Sequence, residues 1–350
     1  MNKQLDVLIE KLIYEHQLSA TEYEYLIENR TEKSAEYLAE QAVKVRKAVY
    51  GNTVYIRGLI EISNICKNDC LYCGIRKSNP NCQRYRLTCE EILECCREGY
   101  DLGFRTFVLQ GGEDAYYNDE RLISLLRDIK NLYPDCAVTL SLGERSKESY
   151  RKLFDAGADR YLLRHETADK EHYEKLHPNE MSYVNRMECL QNLKEIGYQT
   201  GCGFMVGSPY QTSRQLASDL KFIEKFRPQM CGIGPFIPQK DTSFGHEPAG
   251  TVELTCFLLS IVRLIQPGIL LPATTALGTI ENRGREKGIL AGANVVMPNL
   301  SPASVRKKYQ LYDNKISDGA ESAQCVEELK RRMKSIGYEI VTDRGDMKEE

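Results

Sequence analysis

Cys66-Lys67-Asn68-Asp69-Cys70-Leu71-Tyr72-Cys73 sets three thiols at C-x3-C-x2-C spacing directly after a β-rich run, Val54 to Ile62. Three thiolates on one short loop can hold three corners of a cubane iron–sulfur cluster, because soft sulfur suits such clusters and a loop can wrap a compact object. The fourth iron then has no protein ligand, and an open coordination position marks a catalytic rather than a structural metal site. Two plainer readings stay open here: zinc with a distant fourth ligand, or buried thiols that bind nothing. Against zinc, no second C-x2-C-like pair at such spacing follows.

Other chemistry-bearing residues recur where strand-like runs end. Gln110-Gly111-Gly112-Glu113-Asp114 offers two glycines that let main chain approach a small ligand, although such a pair also simply makes a turn. Thr139-Leu140-Ser141-Leu142-Gly143-Glu144 closes the next run. In Arg160-Tyr161-Leu162-Leu163-Arg164-His165-Glu166-Thr167, the residues Arg160, Arg164 and Glu166 share one face of a strand. Charges pointing into a barrel are costly unless paired or ligand-bound, so they either form an internal Arg–Glu pair or bind an anionic substrate. His165 faces the opposite side and reads as packing. Arg186, in the following helix, is a candidate partner for a carboxylate. Gly201 to Gly207, with Met205, permits approach of a flat ligand or plain core packing. Thr274 and Thr275 end a later strand, where they can bind a carboxylate or phosphate, or cap the next helix.

These residues need a scaffold that brings strand ends together. Thr53 to Ile62 alternates toward β structure, and Thr88-Cys89-Glu90-Glu91 reads as a capping box opening a helix through about Leu102. Strands at Phe104 to Leu109, Ala137 to Leu142, Arg160 to Arg164, Thr200 to Val206, Met230 to Phe236, Ile269 to Thr274 and Asn294 to Met297 complete a set of eight. Helical patterns separate them at Asp119 to Lys130, Lys147 to Ala156, Lys170 to Leu176, Tyr183 to Ile196, Ser213 to Lys225, Val252 to Leu264 and Arg283 to Ala291. This rhythm implies right-handed βαβ units, a parallel sheet and an α/β barrel of the (βα)8 TIM type, whose chemistry sits at the C-terminal strand ends. Residues 1–52, with helical spacing over Leu5 to Ile27 and Ser34 to Val49, form an N-terminal helical extension read as a barrel cap. Residues 53–300 are the barrel, and 301–350 a C-terminal cap.

The 350 residues suit one such domain. A net charge of -3 with interspersed signs provides no basic field for nucleic acid. No apolar run reaches the roughly 18 to 20 residues needed to span a bilayer, and the start lacks a secretory hydrophobic region, so a cytoplasmic protein without a membrane partner is expected. Thirteen cysteines in a chain of this size read as reduced thiols.

With Tyr72 before its last cysteine, the thiol motif resembles that of the radical S-adenosylmethionine (SAM) superfamily. The resemblance implies one 4Fe-4S cluster whose open iron is chelated by SAM, which is cleaved to a 5′-deoxyadenosyl radical, with Gly111, Gly112 and Glu113 at the methionyl amino group. More specifically, Leu109 to Asp114, Tyr161 to Thr167, Gly232 to Pro238, Pro272 to Ala276 and Tyr309 to Tyr312 resemble the HydE family of FeFe-hydrogenase maturases, from about Val54 through Tyr312. That implies a radical step on an iron carbonyl–cyanide–cysteine precursor supplied by a companion maturase, with an electron donor as a further partner. By the same resemblance Arg57, Gln110, Thr139, Arg160, Arg164, Thr274, Thr275 and Tyr309 line the substrate cavity. Tyr72, Ser141, Glu166, Arg186, Met205 and Met297 surround SAM, and Cys66, Cys70 and Cys73 hold the cluster. Some members carry a second cluster on a C-x7-C-x2-C run near the C-terminus; here Lys315 to Val326 offers only Cys325, which argues against one. Alternatives are an enzyme like methylornithine synthase, one like biotin synthase, whose extra cluster needs strand cysteines such as Cys136, Cys202 and Cys231, and a non-enzymatic iron–sulfur carrier.

Overall fold

The computed structural model of the protein describes residues 3–348, apart from the side chain of Ala320; the outermost residues of the expected extension and cap, 1–2 and 349–350, lie outside that range. The first barrel strand runs Thr53–Ile56 and Gly58–Ser63, the second Thr106–Gly111, the third Ala137–Ser141 and the fourth Arg160–Leu162. The fifth is Gln199–Cys202 with Met205–Val206, the sixth Met230–Cys231 with Gly234–Pro235, and the eighth Val295–Val296. The seventh is reduced to single parallel bridges, Met230 to Leu270 and Pro272 to Val295. Pro272 has no N–H to continue a ladder, which explains why the expected strand over 269–274 is so short. Because Tyr55 and Ile56 pair with Val295 and Val296, the parallel sheet closes into an eight-stranded barrel.

Alternation along each strand sorts the side chains. Ile60, Ile62, Leu109, Leu140, Tyr161, Cys202 and Cys231 join one large core with helix residues such as Leu122, Leu190, Leu220 and Leu258. Their strand neighbours, among them Arg57, Glu61, Gln110, Thr139, Arg160 and Arg164, therefore point into the barrel.

The helices fall close to their expected places. Cys89–Asp101 opens on the Thr88–Glu91 capping box, and Tyr183–Ile196 and Lys170–Leu176 have the expected bounds. The N-terminal extension differs. It forms three helices, Lys3–Glu15, Ala20–Glu28 and Glu32–Tyr50, because Ser19 and Glu22 make a second capping box that restarts the chain. Nor does the extension cap a barrel mouth: it lies against the outer helices Val252–Ile265 and Ser213–Phe226. Tyr23 donates to Glu224 Oε1 at 2.6 Å, and only the last turn, with Tyr50, reaches the lower mouth.

After the eighth strand the chain crosses the upper, C-terminal mouth. Gly74 N donates to Leu311 O at 2.8 Å and Asp313 N to Pro238 O at 3.1 Å. The helix Val326–Ser335 then returns it to the lower mouth, where Glu339–Val341 pairs with Thr53 to Tyr55. Residues 342–348 enter that mouth as a tail.

Candidate active site

The first strand delivers the cysteine loop onto the upper mouth. Three main-chain bonds pin it from three directions: Lys67 N to Glu113 O (3.1 Å), Leu71 N to Leu176 O (3.1 Å) and Gly74 N to Leu311 O. Arg76 clamps Asp69 with bonds of 2.8 and 3.1 Å, and this pairing holds the Asp69 carboxyl down at about 2. Burial raises the Cys66, Cys70 and Cys73 thiols, Cys70 to about 12, and each is raised further by a neighbouring thiol or carboxylate. Arg84 and Arg186 offset this only in part at Cys66 and Cys70; a metal that displaces the protons would favour the thiolates. Among the described residues no three His, Cys, Asp or Glu side chains are gathered tightly enough to hold a single metal ion.

Glycines admit the neighbouring strand ends. A Cβ on Gly112 would lie 2.3 Å from Ile65 O and 2.8 Å from Cys66 Cβ, so only glycine lets the second strand meet the cysteine loop. Cys66 Sγ accepts from Glu113 N at 3.4 Å. At Gly143, φ is +75° and a Cβ would overlap the Glu113 side chain at 2.1–2.3 Å. The sequence signal for Gly143 is its place just after a strand, like that of Gly111 and Gly112. Glu113 Oε1 accepts from Glu144 N at 3.0 Å, while Oε2 lies 3.0 Å from Lys67 Nζ without a hydrogen bond. A cleft of about 500 Å³ opens beside these groups, lined by Lys67, Glu113, Leu142, Glu144 and Arg145 among others.

Across the mouth, Arg164 Nη2 stands 3.2 Å from Glu166 Oε2. Neither atom, nor Arg164 Nε, has a hydrogen-bond partner although all three are buried. Such orphaned polar atoms cost about 1–3 kcal/mol each unless a ligand or water meets them. Glu166 has φ +65°, a strained position for a non-glycine residue and one that clusters at functional sites. Arg186 bonds Glu144 Oε1 at 2.5 Å and Arg164 O at 2.7 Å. Tyr72 OH lies 3.2 Å from His177 Nε2, and Met205 shares a small cluster with Leu71, Tyr72 and Phe236.

Comparison with known proteins identifies the family. The profile of the Radical SAM superfamily matches residues 60–223. The chain is 44% identical over 313 residues to the FeFe-hydrogenase maturase subunit HydE of Thermotoga maritima, covering 89% of each. The chain belongs to the radical SAM superfamily. It is 32% identical over 339 residues to 3-methylornithine synthase of Methanosarcina acetivorans, covering 96% of this chain and 94% of that one. The crystal structure of methylornithine synthase superposes with a TM-score of 0.84 at 28% identity, over 95% and 97% of the two chains. This is a radical SAM enzyme in a TIM-type barrel, and members of its superfamily generally use a 4Fe-4S cluster and SAM.

Within this radical SAM barrel the expected substrate residues divide between two ends. Gln110, Arg164, Thr274 and Tyr309 lie toward the upper end, while Thr139 sits mid-strand, in register with Arg160. The Thr139 and Thr274 hydroxyls are buried without partners, and Tyr309 is buried. Thr275 donates to Glu321 Oε2 at 3.0 Å, and Glu321 also pairs with Arg285. Arg57 and Arg160 sit lower. Arg160 bonds Thr106 Oγ1 (2.9 Å), Gln199 Oε1 (3.2 Å), Arg344 O (2.8 Å) and Asp346 Oδ1 (2.5 Å). All three of its guanidinium nitrogens are thus engaged, Nε by Gln199, Nη1 by Thr106 and Nη2 by the tail, and the internal Arg–Glu pair is made by Arg164 with Glu166 instead. Arg57 contacts Met230 Sδ at 2.9 Å and Gly345 O at 3.3 Å. Met297 packs against the lower cluster of Tyr50, Tyr55 and Val295 rather than beside Met205.

Two further buried charges pair inside the barrel. Glu61 is fully buried inside the barrel, paired with Lys315 Nζ at 2.7 Å and Asn299 Nδ2 at 2.9 Å. Lys315 Nζ also lies 5.3 Å from the Tyr309 ring centroid. The alternation that flagged residues 160, 164 and 166 applies equally to 57 and 61, and was the available signal.

Proposed function

We propose that the enzyme is a HydE-type maturase that uses SAM-derived radical chemistry on an organometallic iron carbonyl–cyanide–cysteine precursor during assembly of the FeFe-hydrogenase two-iron cofactor. The carrying observation is the set of buried polar atoms without a hydrogen bond on Arg164, Glu166 and Thr274 at the upper mouth, with Thr139 below them. They suit a polar, anionic ligand with several acceptors. The 44% identity to the HydE subunit supports that ligand over an amino acid alone.

In this reading Cys66, Cys70 and Cys73 hold three irons of the cluster. The donor set is chemically apt, and the glycine at 112 cradles the loop. When bound, the cluster supplies the electron for reductive SAM cleavage and thus an adenosyl radical. The protein's own groups bind and orient: Gly111, Gly112 and Glu113 meet the methionyl amino group, while Ser141 and Glu166 meet the remainder. Arg186 is committed to Glu144, and so acts on a cofactor carboxylate only if that pair opens. Companion maturases would supply the precursor, and a separate donor the electron.

A methylornithine synthase-like reading has support in the 0.84 superposition. A biotin synthase-like reading has less, because Cys136, Cys202 and Cys231 belong to the core shared with the helices and not to the barrel interior. Anaerobic reconstitution and reduction, then SAM with or without the cysteine-bound iron carbonyl–cyanide complex, distinguishes these. Adenosyl products whose yield depends on that complex, with loss of the complex, are expected. Cleavage indifferent to it redirects the substrate toward amino acids, and no cleavage by an intact reduced cluster favours an electron carrier.

A further inference from the structure

The segment that ends the fourth strand presents Arg164 and Glu166 to the mouth and His165 to the protein behind it. His165 is fully buried, 4.7 Å from the Phe222 ring and 5.9 Å from Phe204 between ring centroids. Its Nδ1 lies 3.3 Å from Gly203 N, and Nε2 lies 3.2 Å from Asp219 Oδ1. An amide N–H can only donate, so Nδ1 is the acceptor and Nε2 carries the proton toward Asp219. The ring is neutral, since burial lowers its pKa to about 3. Asp219, also fully buried on the helix Ser213–Phe226, accepts from Ala168 N at 2.6 Å with the same oxygen.

The two groups therefore bracket Glu166. On one side His165 ties the chain to Gly203, whose carbonyl accepts from Glu166 N at 3.0 Å; on the other, Asp219 fixes Ala168. Glu166 itself is held at φ +65°. A residue in this region persists only where its surroundings over-determine it, and here the surroundings are named.

We infer that His165 and Asp219 are positioning residues that hold Glu166 in its left-handed conformation so that its carboxylate meets a hydroxyl or amino group of the bound nucleoside. The inference rests on the reading of this mouth as the SAM site. It extends the role of His165 beyond the packing expected from the sequence.

The test is a SAM titration of the anaerobic, reduced holoenzyme, followed by the change in the cluster's electron paramagnetic resonance signal and paired with steady-state kinetics. His165→Phe suits the aromatic surroundings and should raise the Kd for SAM about tenfold, with kcat at saturating SAM falling less than about threefold. His165→Asn, whose amide oxygen can replace Nδ1 as acceptor for Gly203 N–H, should recover most of the affinity. His165→Gln, which keeps only the reach toward Asp219, should recover less. Wild-type affinity in His165→Phe, or a collapse of kcat at unchanged Kd, overturns the inference while leaving the SAM site intact. If His165→Phe does not fold, equal affinities in the Asn and Gln variants overturn it. A wild-type enzyme that gives no response to SAM removes the site reading and the inference together.

Discussion

Arg160, which opens the fourth strand, and Arg164, just past its end, both point inward, yet in opposite circumstances. Arg160, at the lower end, is saturated by Thr106, Gln199 and the tail residues Arg344 and Asp346. Arg164, at the upper end, keeps two buried nitrogens without a hydrogen bond and shares only an ion pair with Glu166. An inward charge is thus not evidence of a ligand until its partners are counted. The C-terminal tail completes the partners of Arg160, although Arg57 beside it keeps a buried Nε without one; at Arg164 the open nitrogens are left for something else.

That contrast can be broken by exchange. Arg164→Leu removes a charge-assisted contact from the mouth and should lower kcat/KM for the substrate about 30- to 100-fold, the equivalent of roughly 2–3 kcal/mol, with thermal stability little changed. Arg160→Leu should do the reverse. It strands the tail and should lower unfolding free energy by about 2–3 kcal/mol, less than for a fully buried pair because Asp346 is 40% exposed. Its kinetics per folded molecule should stay near wild type, and denaturant melts beside steady-state assays check both. Equal kinetic losses in the two variants would mean that the ends act as one cavity.

A smaller effect sharpens the lower end alone. Burial would raise the Asp346 carboxyl, but Arg160, Gln199 and Arg344 outweigh it and hold the pKa at about 2, against an ordinary 3.8. A depressed carboxylate contributes stability that is fully present above its unfolded value and is lost as pH falls through the folded one. Hydrogen-exchange protection at residues 345–348, corrected for the intrinsic rate, should therefore fall between about pH 4 and 2. Asp346→Asn should remove the pH dependence of that protection.

Much of the scaffold was legible because helix and strand periods and the Thr88 capping box act locally. The cysteine loop and Gly111-Gly112-Glu113 were legible because close packing demands particular residues at particular spacings. Other features depend on partners distant in sequence. The lower fate of Arg160 is decided by Asp346, and Glu61 is neutralised by Lys315. Neither pairing leaves a local trace. The short seventh strand could have been foreseen from Pro272, and the division of the N-terminal helices from Ser19 and Glu22.

Iron and SAM turnover in Cys70→Ser against wild type tests the central claim most directly. After anaerobic reconstitution the wild type should carry one cubane cluster, about four irons per chain, and cleave SAM on reduction; Cys70→Ser should lose the cluster and all adenosyl product. Full cluster content and turnover in Cys70→Ser would contradict the account.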